Sequence, residues 1–232
     1  MNTEAMIERI FPMLIAGDRG QARATVTTWI DEGCTAETLT EQVYWPLHEM
    51  IADLYRKDQL TTLAHHCAVR LLRTLVDQAQ AAYTQNERNG RTMMLFCGDT
   101  ETDDMAAQMV ADLAEANGWQ VCFGGGGIAY DELLATAQER RPDVMLMFSS
   151  SAADAPGIRQ LIDQIRGVGA CPEMQIAVGG GVFNRAPGLA EEIGADVWAS
   201  TPAAIIDSLN ANPEQWATPE QRTVGRTTWA AA

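Results

Sequence analysis

Residues 93–121 read MMLFCGDTETDDMAAQMVADLAEANGWQV, and this stretch decides the fold. An apolar run from Met93 to Cys97 stops at Gly98, and an acidic loop follows from Asp99 to Asp104. Met105, Met109, Val110 and Leu113 then recur at helical spacing as far as Gly118, and Trp119 opens a second apolar run. Strand, loop, helix and strand in this order make one βαβ unit. Its acidic loop lies at the carboxyl end of the first strand.

The unit repeats downstream. Gln120–Phe123 reads as a short strand and Tyr130–Arg140 as a helix. Asp143–Phe148 is a continuous apolar run of the kind found in parallel strands covered on both faces. A helix over Ile158–Ile165, a strand over Gln175–Val178, a short helix over Leu189–Ile193, a strand over Asp196–Ala199 and a helix over Ala203–Leu209 complete the series. Five strands alternating with five helices imply an α/β domain with an open, doubly wound parallel sheet. Ligands bind such sheets outside the carboxyl ends of the strands. Those ends carry Gly98–Asp104, Gly124–Gly127, Ser149–Ser151, Gly179–Gly181 and Ser200–Pro202.

Upstream the pattern is helical. Ile7, Ile10, Phe11 and Leu14 form one apolar stripe, which Gly17 and Gly20 are expected to break. Ala22–Asp31 is a second helix. Thr38 or Thr40 would cap a third, with Val43, Leu47, Ile51 and Leu54 on its buried side. Leu60–Thr62 opens a fourth, with Leu63, Cys67, Leu71 and Leu75 spaced by four. Short connections make these antiparallel neighbours in a small bundle. The polar QNERNG at 85–90 is the expected linker. The expected organisation is therefore a helical bundle over 1–88, the α/β domain over 89–210 and a tail over 211–232. Trp216 and Trp229 are the tail's candidate anchors.

Composition narrows the function. Thirty-one acids against 16 bases give a net charge of −15, which argues against a nucleic-acid surface. The five cysteines show no C-x-x-C and no metal-type pairing, as expected of reduced structural thiols in a cytoplasmic protein. No segment has the length and apolarity of a membrane span. Asp99, Glu101, Asp103 and Asp104 suggest a Mg²⁺ or phosphoryl-aspartate site. A receiver of that kind would want Lys after the fifth strand and Ser or Thr after the fourth; here Ser200 and Gly179–Gly181 stand there. No nucleophile–base pair can be assembled from the sequence, so the chain is not expected to be an enzyme by itself.

The order of strand-end residues resembles the cobalamin (B12)-binding domain family. Ser149 after the third strand, Gly179-Gly180 after the fourth and Ile193-Gly194-Ala195-Asp196 before the fifth match its pattern over roughly 91–210. The resemblance implies a flavodoxin/Rossmann-like sheet. In the family's Asp-x-His-x-x-Gly loop, the His ligates cobalt from below. Here Glu101 takes the Asp position, Asp103 the His position and Ala106 the Gly position. A carboxylate is a poorer donor to cobalt than imidazole. The preceding bundle resembles the cap of methionine synthase, of corrinoid methyltransfer proteins and of B12-dependent light-sensing regulators. In the regulators Trp, nine residues and Glu-His place an imidazole above the cobalt. Tyr55, nine residues and His65-His66 follow that spacing, with His66 at the ligand position.

What the resemblance implies is a regulatory sensor that binds cobalamin or another tetrapyrrole, a bilin or haem, and signals through a protein partner or self-association. It would have no DNA-binding domain of its own. The implied cofactor contacts are Tyr55, His66, Glu101, Asp103, Ser149, Ser151, Gly179 and Gly180, with His66 the metal ligand. If the ligand were a bilin or haem, Arg70 and Arg73 would receive its propionates. The alternatives are a corrinoid carrier subunit for methyl transfer and a cofactor-free scaffold.

Overall fold

In a computed structural model of the chain, residues 2–169 and 171–217 are described. Five apolar runs pair as β1 (Thr92–Cys97), β2 (Gln120–Gly125), β3 (Val144–Phe148), β4 (Gln175–Gly179) and β5 (Val197–Trp198). All four pairings are parallel, in the order β2-β1-β3-β4-β5. Side chains alternate across the sheet with period two. Met93, Leu95, Val144 and Leu146 face one core, and Met94, Phe96, Met145 and Met147 face another. Both sets are buried, which is why these strands read as unbroken apolar runs.

Six helices accompany the sheet: α6 (Glu101–Ala116), α7 (Tyr130–Arg140), α8 (Ala155–Val168), α9 (Gly181–Arg185), α10 (Leu189–Glu192) and α11 (Pro202–Ala211). The sequence reading expected five; α9 is a single short turn after the glycines of β4, with no apolar periodicity to reveal it. The amino-terminal region is helical, with α1 (Thr3–Ala16), α2 (Arg19–Asp31), α3 (Ala36–Leu39), a π-turn (Thr40–Tyr44), α4 (Trp45–Arg56) and α5 (Thr62–Gln80). Its core is continuous with the one beneath α6 and α11, so the bundle is seated on one face of the α/β unit.

Several local expectations are corrected. Gly17 ends α1 in the left-handed conformation, but Gly20 lies inside α2 because Asp18 caps that helix at Gln21 N–H. The cap of α3 is Thr35, whose hydroxyl accepts from Thr38 N–H, rather than Thr38 or Thr40. The π-turn follows from Pro46, which has no N–H for the helix ladder; Trp45 N–H instead reaches back to Thr40. Leu63 is 74% exposed, so the buried stripe of α5 begins further along, with Ala68, Leu71, Leu72 and Leu75.

The polar linker is pinned. Asn86 N–H donates to Ala116 O at 2.8 Å and Asn89 N–H to Gly118 O at 3.0 Å, while Arg88 bonds Trp119 O at 2.7 Å. Gly118 makes this possible: its φ is +87°, and a Cβ there would stand 2.1 Å from Glu87 O. Gly118→Ala is expected to cost at least about 1–2 kcal/mol from the left-handed backbone alone. The readout is a lower urea midpoint at unchanged slope. A midpoint equal to wild type would mean that the linker is loosely held.

Candidate functional site

The start of α6 and the carboxyl ends of β3 and β4 meet α4 of the bundle across a cleft of about 260 Å³. Short polar residues at the strand ends beneath it bond one another. Thr100 caps α6: its hydroxyl accepts from Asp103 N–H at 3.0 Å and donates to the Asp103 carboxylate at 2.8 Å. Asp103 is 2% exposed. Burial, and next the nearby charge of Asp154, push its pKa up, against hydrogen bonds from Thr100 and Ser150. Ser149 is equally buried; its hydroxyl donates to Asp154 at 2.6 Å and accepts from Ser151 N–H at 3.2 Å. Ser151 Oγ accepts from Ala153 N–H, completing the turn into α8. A Cβ on Gly98 would lie 2.7 Å from Asp103 and 2.9 Å from Asp154, so only glycine fits between these two carboxyl groups.

The glycine pair serves the chain's own packing. A Cβ on Gly179 would stand 2.4 Å from the Phe148 ring, and one on Gly180, at φ +100°, 2.4 Å from Ser149 O. Both residues let β4 and the turn into α9 close onto the end of β3. Arg185 of α9 then donates to Ser150 O at 2.5 Å, and Asn184 reaches Glu49 of α4 at 3.1 Å, tying bundle to sheet on this side.

The remaining expected residues are dispersed. Glu101 lies exposed in the first turn of α6, and His66 exposed on α5 outside the cleft lining. Tyr55 stacks on His65 rather than on open space, with ring centroids 3.9 Å apart and planes 15° apart. Arg70 is exposed. Arg73 is engaged by Asp104, so it is not a free propionate receptor; that ion pair and Gln108–Asp77 at 2.7 Å join α5 to α6. Cys97, beside Asp104, has its thiol pushed up to about 12 by burial and the nearby carboxylates, which suits a structural residue.

One cleft residue escaped the sequence reading. His48, on α4, is 8% exposed, stacks on Trp45 at 5.3 Å, and lines the cleft opposite Asp103. Its Nδ1 is buried with no hydrogen-bond partner. Burial pushes its pKa down to about 4, so the ring is neutral at physiological pH. The available signal was its spacing, three residues from both Trp45 and Ile51 on the apolar side of α4. A second cavity, about 350 Å³, opens between the ends of β1 and β3, with Phe96, Leu133, Met147 and Ile158 as apolar walls and Ser149 and Asp154 at its polar edge.

A helical cap over strand ends of a 2-1-3-4-5 sheet, with an apolar slot beside the strand-end serine, is the setting in which the comparisons fall. Residues 91–206 match the B12 binding domain. The chain belongs to the B12-binding domain family. The monomethylamine corrinoid protein of Methanosarcina barkeri superposes with a TM-score of 0.78 at 13% identity, covering 90% of this chain and 99% of that one. A chain of the methanol:cobalamin methyltransferase complex from Methanosarcina barkeri superposes with a TM-score of 0.50 at 15% identity, covering 92% and 81%. No curated protein sequence matches significantly.

Cobalamin is thus the ligand class of this B12-binding chain. The residues fit it in two respects and depart in two. The strand-end serines and glycines present backbone and hydroxyl groups to the cleft, and the apolar slot suits a buried ring. The sequence reading put Asp103 at the position of the family's imidazole, and the Asp103 carboxylate is already hydrogen-bonded by Thr100. The cleft, at about 260 Å³, is also below the roughly 300–1,000 Å³ usual for small-molecule sites. Among the described residues no helix is long and apolar enough to cross a membrane.

Proposed function

We propose that this chain is a corrinoid-holding subunit that presents cobalamin to a protein partner, the carrier role in methyl transfer. The observation that supports it is the cap-over-sheet cleft, in an architecture that spans nearly the whole length of a corrinoid protein. Cobalamin, when bound, supplies alkyl transfer at its cobalt. The chain's own contribution is to hold, orient and shield it: Ser150 and the Gly180–Gly181 turn form the floor, Trp45 and His48 the cap wall, and Phe148 lies between. The ties Asn184–Glu49 and Arg73–Asp104 bridge cap and sheet on opposite flanks. The partner supplies catalysis, so the isolated chain should turn over no substrate.

A regulatory sensor is the second reading, favoured by Asp103. A carrier depends on controlled cobalt ligation from below, which this carboxylate is poorly suited to supply. Loading purified protein with methylcobalamin and with adenosylcobalamin separates the two. A carrier passes the methyl group to an added thiol-activating partner enzyme. A sensor changes oligomeric state on illumination of the adenosylcobalamin form. Asp103→Asn, which keeps the Thr100 hydrogen bond, should leave the visible spectrum of bound cobalamin nearly unchanged. A marked shift would show that Asp103 ligates cobalt. Protein that emerges colourless from gel filtration after loading would overturn both readings and leave the scaffold.

A further inference from the structure

We infer that the cavity between the carboxyl ends of β1 and β3 is a second ligand site, for a protonated amine carried on a ring-sized apolar body. The site is separate from the cap cleft and does not rest on the corrinoid reading. Its place in the fold comes first. In the order β2-β1-β3-β4-β5 the chain leaves β1 toward one edge of the sheet and then crosses to β3 on the other side of β1. Connections that diverge in this way open a crevice outside the strand ends, the usual ligand position of such sheets. The cavity measures about 350 Å³, within the usual range of small-molecule sites. It shares only Phe148 with the cap cleft, and no residue of the helical bundle lines it. Its apolar walls, Phe96, Leu133, Met147 and Ile158, belong to the core on the sheet face opposite the bundle.

Charge selects what enters. The polar edge carries Asp99, Tyr130, Ser149 and Asp154, and no Lys, Arg or His lines the cavity. The Tyr130 hydroxyl lies against Gly157, where a Cβ would stand 2.4 Å from it, so the ring bridges the first turns of α7 and α8. Burial raises the Tyr130 pKa, and the charges of Asp154 and Asp99 raise it further, so both carboxylates act on this phenol. Among the described residues neither Asp99 nor Asp154 pairs with a basic side chain. Asp154 accepts from the Ser149 hydroxyl at 2.6 Å through Oδ2, and among the described residues nothing donates to its Oδ1. Two carboxylates without a cation repel phosphate and carboxylate ligands and attract an ammonium group. The rings of Phe96, Tyr130 and Phe148 line the same space, and aromatic faces stabilise a cation that has lost water. The slot's shape suits a ring, and these charges select one that bears an amine.

The test is titration calorimetry on the full chain, before and after loading with cobalamin, with three probes of similar size: benzylamine, benzyl alcohol and benzoate. Benzylamine should bind about tenfold or more tightly than benzyl alcohol, the weight of hydrogen bonds to a charged group, and benzoate should not bind. Asp99→Asn and Asp154→Asn should each remove most of that preference. Asp154 also holds the buried Ser149, so if circular dichroism shows Asp154→Asn unfolded, Asp99→Asn, in an exposed loop, decides. Methyl NMR reads the position. The Met147 resonance, identified by its absence in Met147→Leu, should shift with benzylamine, and equally so in cobalamin-loaded protein. No binding of benzylamine, equal affinity for benzyl alcohol, or a preference that survives the carboxylate substitutions overturns the inference. So does benzylamine binding that leaves Met147 unmoved. Cobalamin that expels benzylamine also overturns it, because the cavity would then belong to the corrinoid site. Protein that retains no cobalamin overturns the corrinoid reading alone, and the unloaded protein still decides this one.

Discussion

Asp112→Asn is expected to stabilise the protein, and to do so more at pH 8 than at pH 5. Asp112 lies on α6, 5% exposed, and its Oδ2 is buried with no hydrogen-bond partner. Burial raises its pKa first, and the charges of Glu115 on the same helix and Asp77 on α5 raise it further; a hydrogen bond from Gln108 opposes them, and the result is about 7. The unfolded value is near 3.8, so folding favours the protonated form. Protons bound by the native state and not by the unfolded chain mean that stability falls as pH rises. The penalty is absent below the unfolded pKa, grows from about pH 4, and is complete once pH exceeds about 7. The linkage ceiling is about 4 kcal/mol at 1.36 kcal/mol per unit. Relaxation and solvent screening reduce this, leaving a gain of about 1–3 kcal/mol for the neutral amide. Urea midpoints of both proteins at pH 5 and pH 8 check it. A gain of the same size at both pH values would mean that Asp112 is ionised throughout, its charge compensated by the neighbouring chain.

Asp196→Ala is expected to cost about 3–5 kcal/mol, the usual penalty for removing one partner of a buried ion pair. The carboxylate side chain is 2% exposed and that of Arg166 is 19% exposed. One oxygen accepts from the Arg166 guanidinium and from Ile176 N–H at 2.7 Å; the other accepts from Ala217 N–H at 2.8 Å. Loss of the carboxylate leaves a largely buried guanidinium with Met174 O as its remaining hydrogen-bond partner and orphans two amides, one of them in β4. For a chain of this size the melting temperature should fall by roughly 6–20 °C. Asp196→Asn keeps an acceptor for the amides and should lose less. Equal losses for the two variants would place the energy in the charge pair, and a loss below about 1 kcal/mol for Ala would show that the guanidinium finds water. Cobalamin retention, measured well below the melting temperature, should be unaffected, since Asp196 lines neither cavity.

Asp196 also shows where a motif can mislead. It belongs to the IGAD segment that carried part of the resemblance, yet its side chain faces Arg166 and the start of β4. The same holds for Gly179 and Gly180, whose missing side chains leave room for Phe148 and Ser149. These positions report the fold's packing first, and the ligand only through the surface that this packing shapes. Trp216 is a smaller case of tertiary placement: the Arg166 guanidinium lies 5.7 Å from its ring, while Trp229, the other expected anchor of the tail, lies outside the described residues.

The sequence by itself determined the sheet, the helical amino-terminal region and which loops lie at the carboxyl ends of the strands. The reason is that strands buried on both faces must be apolar at every position, and helices that bury one stripe must repeat near every fourth residue. Such signals are local, and β1 and β3 carry them in full. Tertiary structure alone decided which polar residues meet. Arg73 finds Asp104 31 residues away, which removes it from the free basic face of α5. His66 and His48 differ little as letters. One is left exposed on α5; the other is carried on α4 into the cleft with a nitrogen unpaired. Charge pairing and orphaned polar atoms depend on distances between elements far apart in the chain, and no spacing along a single helix encodes them.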